Sequence, residues 1–195
     1  MDIYKALKLE KKYEKIYYSI MIFLIIILPI SVFLAGLIQP FYIISLIILE
    51  ALIGLSILRR INSMSLKYSC HNNRLKIKSG LFKKEGLLFC DKVVLVHTEK
   101  MEEDMEIIII TSVNFKNKKL RLITKQFLKR YPAIREEFER IKENNPDNIY
   151  YYQVVRYGGL NKYVLLDTIY KNCVKSVYTE EGIQNIKISR GQTLV

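Results

Sequence analysis

The reading turns on residues 16–38, IYYSIMIFLIIILPISVFLAGLI, followed after only Gln39-Pro40 by residues 41–58, FYIISLIILEALIGLSIL. The first run, Ile16–Ile38, holds no charged residue, and the second, Phe41–Leu58, holds one, Glu50. A hydrocarbon core of ~30 Å is crossed by roughly 20 apolar residues in a helix. Inside it every backbone N–H and C=O must be satisfied within the segment, so each run reads as a transmembrane helix. A cleaved signal peptide would share the basic start. The first run is too long for one, no small-residue cleavage site follows, and a second run comes at once.

Orientation follows from the flanks. Lys5, Lys8, Lys11, Lys12 and Lys15 precede the first run, Arg59, Arg60 and Lys67 follow the second, and the connection between them is uncharged. Lys and Arg concentrate on the cytoplasmic side, which predicts a multi-pass plasma-membrane protein with both termini cytoplasmic. Tyr13, Tyr17 and Tyr18 at one boundary and Phe41 and Tyr42 at the other suit the membrane interface, where a ring is apolar and a hydroxyl stays wet.

So short a connection makes the helices an antiparallel pair and sets Glu50 at about the depth of Pro29. Pro29 lacks an N–H, which frees the carbonyl of Ile25. A protonated Glu50 has that carbonyl or Ser31 as acceptors, whereas an ionised carboxylate there costs ~2.5–3.5 kcal/mol. One reading makes Glu50 a proton or cation site, or a contact to another membrane protein. The other makes it a neutral acid tying two helices together, and no basic residue lies in either run to partner it.

The chain is 195 residues long with 31 Lys and Arg against 19 Asp and Glu, a net charge of +12. All but one unit of this excess lies from Arg59 onward, a stretch long enough for one compact domain. Anionic lipids of the inner leaflet attract such a surface by ~1 kcal/mol per nearby cation. Nucleic acid would be attracted as well, but the membrane is closer. Cys70, Cys90 and Cys173 are scattered and odd in number, so no disulfide framework is implied. His71 and His97 stand at no recognised zinc spacing from them, and neither a metal nor another cofactor is expected.

Beyond Leu66 the period changes. Arg74, Lys76 and Lys78 alternate with Leu75 and Ile77, a half-buried strand with a charged outer face. Asn72-Asn73 supplies a turn to a partner strand at Leu66–Cys70, and Gly80 permits a bend. Leu81–Lys84, Leu87–Cys90 and Lys92–Thr98 read as strands. Glu99–Glu106 reads as a solvated acidic loop carrying Glu102, Glu103 and Asp104. The β-branched run from Ile107 to Ile110 needs both faces covered and so predicts a central strand. Leu120–Thr124 returns as a strand. Phe127, Tyr131, Ile134, Phe138 and Ile141 form one helical stripe, with Pro132 either kinking it or opening its second half. Ile149–Tyr157 reads as a strand closed by Gly158-Gly159, and a helix starts at Asn161 as N-cap. Thr179 caps a further short helix, although Ile186–Ile188 would also alternate as a strand.

No phosphate-binding glycine loop, nucleophile elbow or helical His pair is present, which argues against an enzyme, and no catalytic residue is assigned. The candidate binding surface is the set Arg74, Lys76, Lys78, Lys83 and Lys84, with a second basic group at Lys116, Lys118, Lys119 and Arg121. Lipid headgroups or an acidic protein suit it, and so does a role as an ordinary solvated sheet face.

The pattern Tyr68-Ser-Cys-His-Asn-Asn-Arg74-Leu-Lys-Ile-Lys-Ser-Gly80-Leu-Phe, set just after two membrane helices, resembles the opening of the bacterial pleckstrin-homology-like domains of small membrane proteins with a paired-helix anchor. The resemblance spans about Ile16–Ile141. It implies a curved sheet closed by one C-terminal helix and a scaffold or interaction role. The chain departs from that pattern in its last fifty residues, and Phe89-Cys90-Asp91-Lys92 stands where a proline is expected. The expected organisation is therefore α+β: a basic N-terminus (1–15), a transmembrane hairpin (16–58), a mainly antiparallel β domain with a capping helix (66–144), and a strand–helix extension (147–195). The expected function is a non-enzymatic protein- or lipid-binding module on a membrane anchor, possible also as a homo-oligomer. The alternative is a membrane-embedded oligomer that passes ions or protons, with Glu50 central.

Overall fold

The computed structural model describes residues 3–36, 39–100, 104–115 and 117–192, so the features expected at Leu37, Ile38, Glu102, Glu103 and Lys116 lie outside the described residues. The chain is mixed α+β. Two long helices, α1 (Ile3–Leu34) and α2 (Pro40–Met64), precede a domain built on two sheets. Both helices are long and apolar enough to cross a membrane, and their most apolar windows are 0% buried. A core helix of a soluble protein would bury that surface. At 1.5 Å per residue α1 is ~48 Å long, well beyond the ~30 Å of a bilayer core. The excess is at its start: the basic N-terminal stretch is helical, and Ile3 and Ala6 are buried.

Pro40 opens α2 at its first position, where a missing N–H costs nothing. The helices are tied by a 2.7 Å hydrogen bond between the Tyr17 and Ser56 hydroxyls, with the Arg60 guanidinium 5.9 Å from the centre of the Tyr17 ring. The tie expected at Glu50 is not formed. The Ser31 hydroxyl donates to the Leu28 carbonyl at 2.8 Å, within its own helix, a bond that orders no second chain. Pro29 lies inside α1, and Glu50 is half-buried with no hydrogen-bond or ionic partner among the described residues.

The first sheet is the meander β1 (Leu66–His71), β2 (Arg74–Ser79) and β3 (Gly86–Phe89), all antiparallel. Asn72 and Asn73 both have positive φ, 47° and 62°, the geometry a two-residue hairpin requires. Leu75 and Ile77 face inward, while Arg74 and Lys76 are exposed. Residues 81–84, expected as a strand, form none: 81–83 are bends, because Gly80 at φ +95° turns the chain out of β2.

A short 3-10 turn (Cys90–Lys92) leads to the second sheet: β4 (Val93–Lys100), β5 (Met105–Thr111), β6 (Arg121–Leu122), β7 (Tyr151–Val155) and β8 (Val177–Tyr178), in the order β6-β7-β5-β4-β8. Every residue of β5 is buried. Ile107 and Ile109 pack with Leu75, Ile77 and Leu88 of the first sheet and with Leu165, Leu166 and Ile169 of α5 (Asn161–Asn172). Ile108 and Ile110 face the other way, onto Phe127 of α3 (Lys125–Arg130) and Ile134 and Phe138 of α4 (Pro132–Asn144). Each buried isoleucine stabilises the fold by about 1.5–3 kcal/mol.

The helical stripe from Phe127 to Ile141 is two helices, broken at Tyr131, with Pro132 at the first position of the second. Nor do residues 147–195 form a separate extension. β7 lies between β5 and β6, and β8 pairs in parallel with β4. The acidic loop is shorter than expected, since Glu99 and Glu106 are opposite each other in the β4–β5 ladder. Thr179 caps α6 (Glu180–Ser189), its hydroxyl accepting from the Gly182 N–H at 3.3 Å, so Ile186–Ile188 is helical. At α5 the cap is Leu160 instead of Asn161, and the Leu160 N–H donates to Glu10 of α1 at 3.1 Å.

The helical pair and the domain meet at Gly158-Gly159. The Gly158 N–H donates to the Ser63 carbonyl at the end of α2 (2.8 Å), and a Cβ at Gly158, where φ is +136°, would lie 2.6 Å from Leu66. A Cβ at Gly159 would lie 2.4 Å from Glu10 and 2.8 Å from Met64. Gly158→Ala should therefore destabilise the protein by about 2–4 kcal/mol, overpacking and backbone strain combined. Gly36→Ala, with positive φ but open space around it, should cost only about 1–2 kcal/mol. Denaturant unfolding of the purified full-length chain compares them, and equal losses would mean that the Leu66 contact is not limiting.

Candidate functional site: a basic cleft

On the α3 side, the loop after β2, the segment before β6, α3 and the end of β7 enclose a cleft of about 580 Å³. Seven cationic side chains line it: Lys83, Lys84, Lys118, Lys119, Arg121, Arg130 and Arg156. Among the described residues no carboxylate lines it. Aromatic rings supply part of the wall: Phe127 stacks on Tyr152 with centroids 3.9 Å apart, and Tyr131 leans against Phe127 at 5.1 Å.

Four of the seven cations are held in place by local contacts. The Lys83 ammonium sits 4.6 Å from the centre of the Tyr157 ring, and the Arg130 guanidinium 5.5 Å from that of Tyr131. The Lys119 ammonium donates to the Ile77 carbonyl at 3.3 Å. Arg156 donates to one oxygen of Glu106 at 2.8 Å, and the Tyr131 hydroxyl donates to the other at 2.8 Å. Glu106, buried behind the wall, is thus the fixed counter-charge of one cation only. Burial, and then its bond to Glu106, pushes the Tyr131 hydroxyl above its usual range.

Two lysines register the crowding. Burial lowers Lys83, and the charges of Arg156 and Arg121 lower it further. Burial lowers Lys119 as well, followed by Lys83 and Lys78. A site that disfavours its own protonated lysines is one in which an incoming anion relieves like-charge repulsion.

Of the residues singled out from sequence, Lys83, Lys84, Lys118, Lys119 and Arg121 converge here. Lys78 stands near enough to act on Lys119. Arg74 and Lys76 lie instead on the outer face of the first sheet, where the Arg74 guanidinium is 5.9 Å from the centre of the Phe89 ring. Arg130, Arg156 and the aromatic wall were not anticipated. The rings carried only a core-packing signal, and nothing in the local sequence places Arg156 across from Lys83.

Three other clusters are structural. The ammonium of Lys162 is buried on Asp104, the Met105 carbonyl and the Arg156 carbonyl, which fixes the start of α5 to the β4–β5 hairpin and the end of β7. The cysteines, far apart in sequence, are neighbours: the Cys70 and Cys90 sulfurs are 3.8 Å apart, and Cys173 lies in the same core cluster as Cys90. All three are free thiols. His97 is buried and satisfied, Nδ1 on the Thr179 hydroxyl and Nε2 on Glu99, both at 2.9 Å.

Comparison with known proteins finds no match to a family model, a curated protein or a solved structure.

Lysine ε-carbon NMR tests the electrostatics. Lys83 and Lys119 should titrate below the ordinary ~10.5, and Lys83→Gln should move the Lys119 midpoint upward. Both groups are lowered in the folded chain, so the unfolded chain binds more protons between the lowered values and ~10.5, and stability rises with pH across that window. Anion binding should weaken across the same window. An unmoved Lys119 midpoint in the variant would show that the two charges do not share one field.

Proposed function

We propose that the chain is an integral protein of the plasma membrane, with both termini cytoplasmic, and that its basic domain is a non-enzymatic module binding anionic lipid headgroups. The observation that carries this reading is the collection of seven cations and no lining carboxylate in one cleft, on a domain joined directly to two membrane-length helices. Each nearby cation contributes ~1 kcal/mol toward an anionic lipid. The lining offers charge and aromatic faces, which suit holding a ligand. Burial of Ile3 and Ala6 supports retention of α1 in the working protein, since removing the helix as a signal peptide would strip a packed contact.

The pleckstrin-homology-like resemblance enters on the layout: a helical pair, then a sheet-containing domain. Here α3 and α4 cover one face of the five-stranded sheet, while the three-stranded sheet and α5 cover the other.

Native mass spectrometry of the detergent-purified chain, titrated with short-chain phosphatidylglycerol, tests the assignment. Lys119→Gln combined with Arg121→Gln should weaken binding by roughly tenfold or more, at ~1 kcal/mol per cation. Phosphatidylcholine should bind weakly to both proteins. Equal phosphatidylglycerol binding by wild type and variant would remove the cleft as the site. Displacement of the lipid by a hexaglutamate peptide at lower concentration would transfer the site to an acidic protein.

The absence of a partner for Glu50 among the described residues supports a second reading, an oligomer in which Glu50 meets another copy and passes protons or ions. Glu50→Gln should then change both assembly in detergent and proton flux in proteoliposomes. If both stay as in wild type, this reading is removed.

A further inference from the structure

The loop Leu81-Phe82-Lys83-Lys84 has a composition that the cleft does not account for. Lys83 and Lys84 line the cleft, but Leu81 and Phe82 do not, and Phe82 is 83% exposed. The loop is not free to place this ring anywhere. Its base is fastened to the end of α2: the Leu81 N–H donates to the Asn62 side-chain oxygen at 2.9 Å, and the Gly80 N–H donates to the Ser65 carbonyl at 2.7 Å. The space at Gly80 is equally tight, since a Cβ there would lie 3.0 Å from the same Asn62 oxygen.

Asn62 stands four residues past Leu58, the last apolar residue before Arg59-Arg60. Four helical residues rise ~6 Å. The polar layer on each side of a hydrocarbon core is about 5–8 Å thick, from the difference between ~30 Å and ~40–45 Å. The fastening point therefore falls within the headgroup layer if α2 spans, and an exposed phenylalanine beside it meets lipid at the depth where aromatic rings are favoured. Lys83 and Lys84 are next in sequence.

We propose that Leu81 and Phe82 form an apolar wedge seated in the lipid interface beside the end of α2, a third membrane contact that turns the cleft mouth, through Lys83 and Lys84, toward the headgroups. This rests on the membrane reading above. The occupant is the lipid surface, chosen because the two apolar side chains are followed by two lysines and pinned to the helix where it leaves the apolar run.

The chain contains no tryptophan, so a single one reports its own surroundings. Three full-length variants in lipid vesicles decide the matter: Phe82→Trp, Val174→Trp at an 80% exposed site past α5, and Ile26→Trp within the apolar part of α1. Phe82→Trp should emit to the blue of Val174→Trp. It should lose about half its intensity to lipids brominated near the carbonyl end of the chain, the depth an interfacial ring occupies, and less to lipids brominated near the terminal methyl. Emission like that of Val174→Trp without quenching would overturn the wedge. Blue emission without bromine quenching would overturn it too, showing a protein surface over Phe82. Ile26→Trp separates the two levels of the argument. If it is quenched by deep bromines while Phe82→Trp is not, the wedge fails and the anchor stands. If Ile26→Trp is unquenched, the membrane reading itself fails.

Discussion

The contact on which the rest depends is the approach of Gly158-Gly159 to the stem of the helical pair. Two stretches far from it in sequence meet it there: Glu10 of α1, and Ser63, Met64 and Leu66 where α2 passes into β1. No side chain fits between them, so the two backbones come close enough for the Gly158 N–H to reach the Ser63 carbonyl. The result is a domain fastened to its helices here as well as at the covalent link at Ser65 and the Leu81–Asn62 bond. A domain hung on one short linker would be free to turn. One fastened at several points holds a fixed face toward whatever surrounds α1 and α2.

Legibility from sequence followed the range of the interactions. The apolar runs, the Asn72-Asn73 turn and the alternation of Arg74 to Lys78 are settled by neighbours within a few residues, and each was readable, whereas the ending after Thr179 stayed open between helix and strand. The run Ile107–Ile110 announced that both its faces were covered, because a one-sided strand would have alternated. What covered them was not readable. β7 enters beside β5 from forty residues away, and a Tyr/Val-rich strand carries no label for its partner. That pairing is why the expected boundary after residue 144 fails as a division of the fold.

The cleft shows the same limit in electrostatic form. Five of its seven cations were visible as two basic groups in the chain. Their convergence depends on how the loop after β2 and the segment before β6 are laid against β7, which no local pattern encodes. Glu106 is the instructive miss. In sequence it belongs to a run of acids that reads as solvated. In the fold it is the first acid inside the strand, 5% exposed, and its two oxygens take Arg156 and Tyr131. Burial of a carboxylate is tolerated when hydrogen bonds and a cation satisfy it, so one member of an unremarkable acidic run becomes the counter-charge behind a basic wall.

These elements share one stretch of backbone. Arg156 lines the cleft, the Arg156 carbonyl accepts from the buried Lys162 ammonium, Gly158 bonds the end of α2, and Leu160 bonds Glu10 on α1. Residues 156–162 thus carry a cleft cation, two of the attachments to the helical pair and the first turn of α5. A displacement of α1 relative to α2 has to be absorbed there or passed on, and the stretch has little slack. Its glycines are closely covered, and Lys162 has its three bonds in place. The cleft and the helices are therefore parts of one mechanical unit, and the geometry of the cations answers to the packing of two apolar helices.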